Sequence, residues 1–511
     1  MRLIKQMEQL GSAQACPILL DEILAAQQHW ESNEQGVVIL DSGLLLASPE
    51  AWQERLQGIC NLNVIVARRY PTIEWGVAEI AIIRKFLADA DAVRRDRIAQ
   101  SKIAGSAQTM AKQALLDIVM DAHQLRATDI HLRMTGSEAR IAYRIDGLLY
   151  HQASRSRTSV TEAVAAALNT QSDDFREVFD ERHMSGASIS LTLPESGENI
   201  RIRTQKSPCR DGFSVTMRLQ ASEQQRVPDL YSLGFTPSRV LQLRNVMSQA
   251  TGLLLISGPT GHGKTTTLAA LNRLVPKSRK VISLEDPVEI IQPNIEQKFV
   301  PTDQEPLAFA HMIRSVLRED PDLVEVSEIR DIHTARAGIS AALTGHLVVS
   351  TIHANDAIGI ISRLLDLGLN ATQLSQPGLF AGLLAQRLLP KLCTECCTPI
   401  EHPQWGNAKE QSLEGCVSCQ MTGLQGRVAI SELIVPNSYA SKWIQEQNLV
   451  LWQEELIQTG WDSMAFNASE LICQGLVDPK HAEELVPGMS DLGRQTINLK
   501  RAKHAANLQP N

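Results

Sequence analysis

Aromatic residues are scarce in this chain of 511 residues, at 4%. Proteins that hold single-stranded nucleic acid without reading its sequence stack the bases on aromatic side chains, so such a role is disfavoured. An excess of positive charge is missing too: 49 lysines and arginines face 57 acids, for a net charge of −8 and a pI of about 5.9. Neutralising a phosphodiester backbone normally takes a basic surface, which disfavours nucleic acid as the main partner. No apolar run approaches the roughly 20 residues that a membrane-spanning helix needs. The opening M-R-L-I-K-Q-M-E-Q-L-G interrupts its apolar residues with charge and has no signal-peptide core. The expectation is a cytoplasmic chain that meets a membrane only through partners. Its nine cysteines then read as metal ligands and buried thiols rather than disulfides.

What is present is ordinary globular material, 43% hydrophobic and 21% charged, in a length that calls for roughly three or four domains. The most informative stretch is G-P-T-G-H-G-K-T at residues 258–265, behind the apolar run 252–257 and ahead of a helical composition over 265–274. Gly258, Gly263, Lys264 and Thr265 fill the fixed places of G-x-x-x-x-G-K-[ST]. Backbone N–H groups must come close to phosphate oxygens there, and a Cβ would prevent it. Pro259, Thr260, Gly261, His262 and Thr266 complete the loop that would wrap the ligand. A helix starting at its end adds a favourable dipole for an anion. Lys264 would reach the β- and γ-phosphates, and the Thr265 hydroxyl would take Mg2+. The predicted ligand is a nucleoside triphosphate.

Three later stretches read as buried strands that end in polar groups. Residues 281–284 run into E-D-P-V-E at 285–289, where an open α/β sheet places its ligand site. A carboxylate there can orient a water or accept its proton. Residues 320–331, D-P-D-L-V-E-V-S-E-I-R-D, suit a Walker B element with Glu328 acting on Mg2+-bound water. Glu325 breaks that apolar run, and a charge in a buried strand is costly unless paired, so a partner or solvent is expected beside it. Residues 344–356 set a further strand between His346 and His353. Two histidines so spaced are more often structural than metal ligands, but strand ends also suit sensing of a γ-phosphate.

The cysteines cluster as Cys393-x-x-Cys396 and Cys416-x-x-Cys419, with 19 residues between the pairs. This spacing suits a tetrahedral zinc site of four cysteines, structural because no position is left open. Cys397 is extra, and Cys16, Cys60, Cys209 and Cys473 read as packing residues. Upstream, a helix pattern at 19–30 and apolar strands at 36–40 and 44–46 around a turn suggest a small α/β unit. A charged segment at 92–97 reads as a linker or exposed helix. Beyond it, a helix over 107–125 and strands at 127–132, 141–147, 189–193, 200–204 and 214–219 make an α+β domain that ends near Ser222. Residues 443–486 read as helical, and the polar tail 490–511 as poorly ordered.

These ordered motifs, with D-I-H at 129–131 and R-I-D-G at 144–147, resemble the secretion ATPases of type II secretion and type IV pilus assembly, a RecA-like P-loop family. The resemblance covers roughly residues 100–480. It implies ATP with Mg2+, Lys264 on phosphate, Glu289 as general base and Glu328 as the Walker B glutamate. His346 and His353 would link nucleotide state to conformation. Arg144, Arg314 and Arg318 would neutralise phosphate charge, some from a neighbouring subunit. The zinc module resembles that of assembly and secretion members, which retraction motors generally lack. Ser327 stands where the family has glycine, Glu325 where it has an apolar residue, and Arg133 where a glutamate is common; these departures put the rate in question more than the role.

The implied fold is α/β: an N-terminal α/β adaptor over 1–95, an α+β domain over 96–225, a RecA-like ATPase domain over 226–389, the four-cysteine zinc module over 390–435, and a helical C-terminal region over 436–511. The implied function is a homo-hexameric ATPase at the cytoplasmic face of a bacterial inner membrane, driving pilin polymerisation through an inner-membrane platform protein. Type IV pilus assembly is preferred because the N-terminal region does not resemble the usual secretion-type adaptor. A type II secretion pseudopilus motor is the alternative. From other classes come a DNA-translocating motor and a nucleotide-binding scaffold that hydrolyses little.

Overall fold

The computed structural model describes residues 2–4, 36–54, 59, 62, 74–87, 107–152, 154–171, 179–194, 197–220, 227–301 and 308–489. The expected helix at 19–30, the charged segment at 92–97, Cys16, Cys60, the boundary at Ser222 and the tail 490–511 lie outside them. Among the described residues no helix is long and apolar enough to cross a membrane. The chain divides into two compact units, Met1–Ser222 with Leu413–Gly423, and Glu223–Ser412 with Leu424–Asn511.

The first unit opens with a four-stranded sheet of β1 (Arg2–Ile4), β2 (Val37–Ile39), β3 (Leu44–Ala47) and β4 (Glu74–Ala78), in the order β1-β4-β3-β2. β2 and β3 form the antiparallel hairpin expected around Asp41-Ser42-Gly43, with Gly43 at φ 81°. Both faces are apolar, Val38 and Leu46 on one, Ile39 and Leu45 on the other. A larger sheet follows, built from β5 (Ala127–Thr135), β6 (Glu138–Ile145), β7 (Leu148–His151), β8 (Arg155–Ser156), β9 (Ser185–Thr192), β10 (Asn199–Cys209) and β11 (Gly212–Gln220). Its order is β7-β6-β5-β11-β10-β9, with β8 paired to β6. Alternation buries Ile189, Leu191, Ile200 and Ile202 on one face. Helices Ala107–Gln124 and Arg157–Gln171 share this core through Leu115, Ile118, Val160 and Val164.

The second unit is built on β12 (Gly252–Ser257), β13 (Val281–Glu285), β14 (Glu296–Phe299), β15 (Leu323–Val326), β16 (Leu347–Ile352), β17 (Phe380–Leu392) and β20 (Leu424–Ile434), with a small hairpin of β18 (Thr398–His402) and β19 (Gly406–Glu410). The seven-stranded order is β14-β13-β15-β16-β12-β17-β20. Every pair is parallel except β17 with β20. All six residues of β12 and of β16 are buried, as continuous apolar runs require when helices cover both faces. Leu254 and Ile256 face one layer with Leu268 and Leu271, and Leu253 and Leu255 face the other with Ala335 and Ile339. The expected C-terminal helices are Ser438–Gln445, Leu449–Gln458, Met464–Cys473 and Pro479–Leu485, capped in turn by Asn437, Asn448, Ser463 and Asp478.

Candidate functional site

The glycine-rich loop leaves β12 at its C-terminal end and enters the helix Lys264–Asn272. Gly258 has φ 152°, and a Cβ there would fall 2.4 Å from the Gln386 carbonyl oxygen. Gly263 caps the helix at φ 76°, a left-handed conformation that glycine adopts without strain. Three contacts from β17 and β20 pin the loop. The Gln386 amide donates to His262 O at 2.8 Å, Leu388 N–H donates to the His262 ring Nδ1 at 2.9 Å, and Arg427 Nη1 donates to Gly261 O at 3.1 Å. Pattern reading assigned no nucleotide-site role to Gln386, Leu388 or Arg427, which lie more than a hundred residues along the chain.

Lys264, half-buried in the first helical turn, donates to Gly258 O at 2.8 Å and Pro259 O at 3.1 Å. Burial lowers its pKa, while Glu328 and Glu289 oppose that through their charge. Both acids named from sequence therefore lie within electrostatic reach of this amine. Thr265 and Thr266 follow it, half-buried at the helix start. A cation folded against the glycine-rich loop at a helix start, with two acids within electrostatic reach, fits a nucleotide phosphate with its metal ion. Lys264 and the loop amides would hold phosphate, and Thr265 and Glu328 would face Mg2+.

Glu328 follows β15 and is 15% exposed at its side chain. Arg330 Nε donates to its Oε2 at 2.8 Å, and His353 Nε2 lies 2.8 Å from its Oε1 as an ion-pair contact without hydrogen-bond alignment. The end of β16 holds the same segment: the Thr351 hydroxyl donates to Ser327 O at 2.6 Å and Ile329 N–H to Thr351 O at 2.9 Å. His353 thus joins Glu328 directly. His346 does not join them. The parallel register pairs Gly252 with Leu347 and Ser257 with Ile352, so His346 stands at the edge where β12 begins. Six residues of strand at about 3.3 Å each separate it from the loop's edge. Its ring Nδ1 lies 3.3 Å from Ala341 O.

Glu285 is buried, accepting from the Ser283 hydroxyl at 2.7 Å and the Gln297 amide at 2.8 Å, whereas Glu289 is exposed on the following loop. Arg314 lies in the last turn of helix Ala308–Val316, and Arg318 follows it; both are exposed. They approach the edge where β15 begins, away from the glycine-rich loop of their own unit. Arg144, in β6 of the first unit, donates through Nη1 to Gly147 O at 2.9 Å. Glu325, left between partner and solvent by the sequence, is buried against Asn272 at 2.6 Å.

Cys393, Cys396, Cys416 and Cys419 bring their thiol sulfurs within 4.8 Å of one another. Four sulfurs around a tetrahedral zinc with Zn–S near 2.3 Å lie about 3.8 Å apart, and Cys416 Sγ is 3.7 Å from Cys419 Sγ. Backbone N–H groups of Cys416 and Gly423 each donate to Cys419 Sγ at 3.1 Å, as they would to a metal-bound thiolate. The donor set fits zinc. Cys397 turns its sulfur toward Thr394 O at 3.9 Å and is not one of the four.

A mostly parallel sheet in which the interior strand β12 runs into this loop, with acids that follow β13 and β15 within electrostatic reach of the lysine, defines a P-loop nucleotide-binding protein. Residues 106–486 match the family described as "Type II/IV secretion system protein", and the chain belongs to that family. It is 37% identical over 312 residues to the type II secretion system protein HxcR of Pseudomonas aeruginosa, covering 60% of this chain and 63% of that one. It is 33% identical over 386 residues to the type IV pilus assembly ATPase PilB of Myxococcus xanthus, covering 69% and 65%. The chain thus spans less than two thirds of both relatives. Among solved structures it resembles the pilus retraction motor PilT with bound ADP, at 28% identity and a TM-score of 0.51, over 74% of this chain and 98% of that one.

Proposed function

We propose that this protein is an ATPase that turns hydrolysis into movement for assembling a pilus-type filament. The observation that carries the reading is the glycine-rich loop that leaves β12 and starts a helix at Lys264, with Glu328 and Glu289 within electrostatic reach of that lysine. The loop amides and Lys264 bind the triphosphate and draw charge from it. Glu289, on its exposed loop, orients a water and takes its proton. Glu328, tethered by Arg330 and His353, faces the metal side, and His353 carries its state into β16. Mg2+, when bound, neutralises charge that builds on the phosphate oxygens. Arg144, Arg314 and Arg318 are the arginines assigned to neutralise phosphate charge, the latter two on a neighbouring subunit's nucleotide. The working form is a homo-hexamer at the cytoplasmic face of the inner membrane, docked on a platform protein.

Within that role we hold to type IV pilus assembly. The likeness to HxcR supports a second reading, in which the filament is a type II secretion pseudopilus. A null strain that loses surface pili but still secretes its exoproteins favours the first, and the reverse phenotype the second.

Phosphate release by the purified protein tests the chemistry. Lys264→Ala and Glu328→Gln are each expected to lower turnover at least about a hundredfold, with added DNA changing nothing. Stimulation by DNA would turn the reading toward a translocase. Tight ATP binding without release would turn it toward a scaffold.

A further inference from the structure

The strand that leads to Glu328 carries an acid at its centre. All four residues of β15 are buried, and Glu325 is 1% exposed. Alternation turns Val324 and Val326 toward the layer of helix Ile332–Leu343 and leaves Glu325 on the side of Leu323, facing the layer of the P-loop helix. Its cross-strand neighbours are Ser283 of β13 and Val349 of β16. Asn272, the last residue of the P-loop helix, donates its amide to Glu325 Oε2 at 2.6 Å and to Gln292 Oε1 at 3.1 Å. Gln292 N–H in turn donates to Gln297 Oε1 at 2.7 Å, and the Gln297 amide donates to Glu285 Oε1 at 2.8 Å and Ile290 O at 2.9 Å. A continuous polar chain therefore runs from β15 through the end of the P-loop helix into the loop on which Glu289 lies.

We propose that Glu325 is a positioning residue: by holding Asn272 it fixes the loop that carries Glu289 against the helix whose first residue is Lys264. The role of the positioned acid rests on the hydrolysis reading above; the network that positions it does not. Glu325 works in its neutral form. Burial pushes its carboxyl up to about 8; the Asn272 bond pulls the other way, and the Glu285 carboxylate adds to the rise. Glu285 is the charged group that faces it. The P-loop helix, β16 and the loop present Asn272, Val349 and Gln292, none of them charged. Ionisation puts two buried carboxylates side by side, which favours a displaced loop.

Hydrogen exchange on the nucleotide-free chain at neutral pH reads the network without any chemistry. With Glu325→Val, peptides over 286–297 are expected to exchange about tenfold faster, while helix Pro237–Met247 keeps its protection. Glu325→Gln, which retains an acceptor for Asn272, keeps the wild-type pattern. In turnover, Glu325→Val lowers kcat about tenfold and leaves KM within about twofold, as expected of a group that acts after ATP has bound. The wild type loses kcat above about pH 8, and Glu325→Gln does not. Equal protection of 286–297 in all three proteins overturns the proposal, as does an alkaline limb that Glu325→Gln retains. A chain that turns over no ATP defeats the hydrolysis reading, and the exchange result then decides this one alone.

Discussion

The ring of His262 accepts a hydrogen bond from the backbone N–H of Leu388 at 2.9 Å. A side chain of the P-loop thereby ties the loop to β17, the strand beside its own. The bond needs an unprotonated Nδ1. Burial, followed by the charges of Arg387, Arg427 and Lys264, lowers the imidazole pKa to about 4, so the ring stays neutral near pH 7. His262→Ala is expected to weaken ATP affinity several-fold, the worth of one hydrogen bond at about 0.5–1.5 kcal/mol. His262→Asn, whose side-chain oxygen can replace Nδ1, restores most of it. Titration with a fluorescent nucleotide measures both. Because the folded pKa lies below the ordinary 6.5, the stability tied to the neutral ring is complete above that value and lost as pH falls toward 4. The Asn variant loses that acid-side dependence.

Glu432, on β20, accepts from Ala357 N–H at 2.7 Å through one oxygen and from Met464 N–H at 2.8 Å through the other. It joins the segment after β16 to the helix Met464–Cys473. An amide has one acceptor where this site uses two, so Glu432→Gln leaves a buried N–H unpaired and is expected to cost about 1–3 kcal/mol in urea unfolding. Burial pushes the Glu432 carboxyl up to about 7 from 4.5. The folded state therefore holds a proton that the unfolded chain releases. This residue's contribution to stability is complete below about 4.5, declines as pH rises to about 7, and is flat beyond. The Gln variant lacks that decline.

Local chemistry explains what could be read from the sequence. The strand–loop–helix around Lys264 and the strands ending near Glu285 and Glu328 depend on neighbours in the chain, and each stands where its pattern indicated. The C-terminal helices begin at Ser438, ahead of the expected start at Trp443. Pairing across distance explains the rest. Glu325 announced itself as a charge in an apolar run, but its partner Asn272 lies 53 positions earlier. Gln386 and Arg427 reach the P-loop from strands whose own sequences have no nucleotide signature. His346 and His353 look equivalent along the chain. The direction of β16 separates them, bringing one to Glu328 and leaving the other at the far edge.

Metal content tests the cysteine group. Protein purified without chelator is expected to carry about one zinc per chain, and Cys393→Ser or Cys419→Ser to carry well under that. Removing zinc with a chelator should lower the unfolding temperature of the wild type and leave Cys393→Ser unchanged, because binding to a thiolate cluster contributes directly to folding free energy. A wild type without zinc after reconstitution would defeat the assignment.

Arg314 and Arg318 are exposed near the edge where β15 begins, away from the glycine-rich loop of their own unit. The proposed function has them act on another subunit's nucleotide. A chain with both changed to alanine and a chain with Lys264→Ala should each be inactive alone. The first still has a complete P-loop, and the second still offers both arginines. Mixed in equal amounts and allowed to assemble, they form interfaces at random, and about one in four joins an intact P-loop to intact arginines. Turnover should return to roughly a quarter of the wild-type rate, less any loss from cooperation between sites. Arginines that served their own subunit's nucleotide would give no rescue at any ratio, because neither chain alone then holds a complete site.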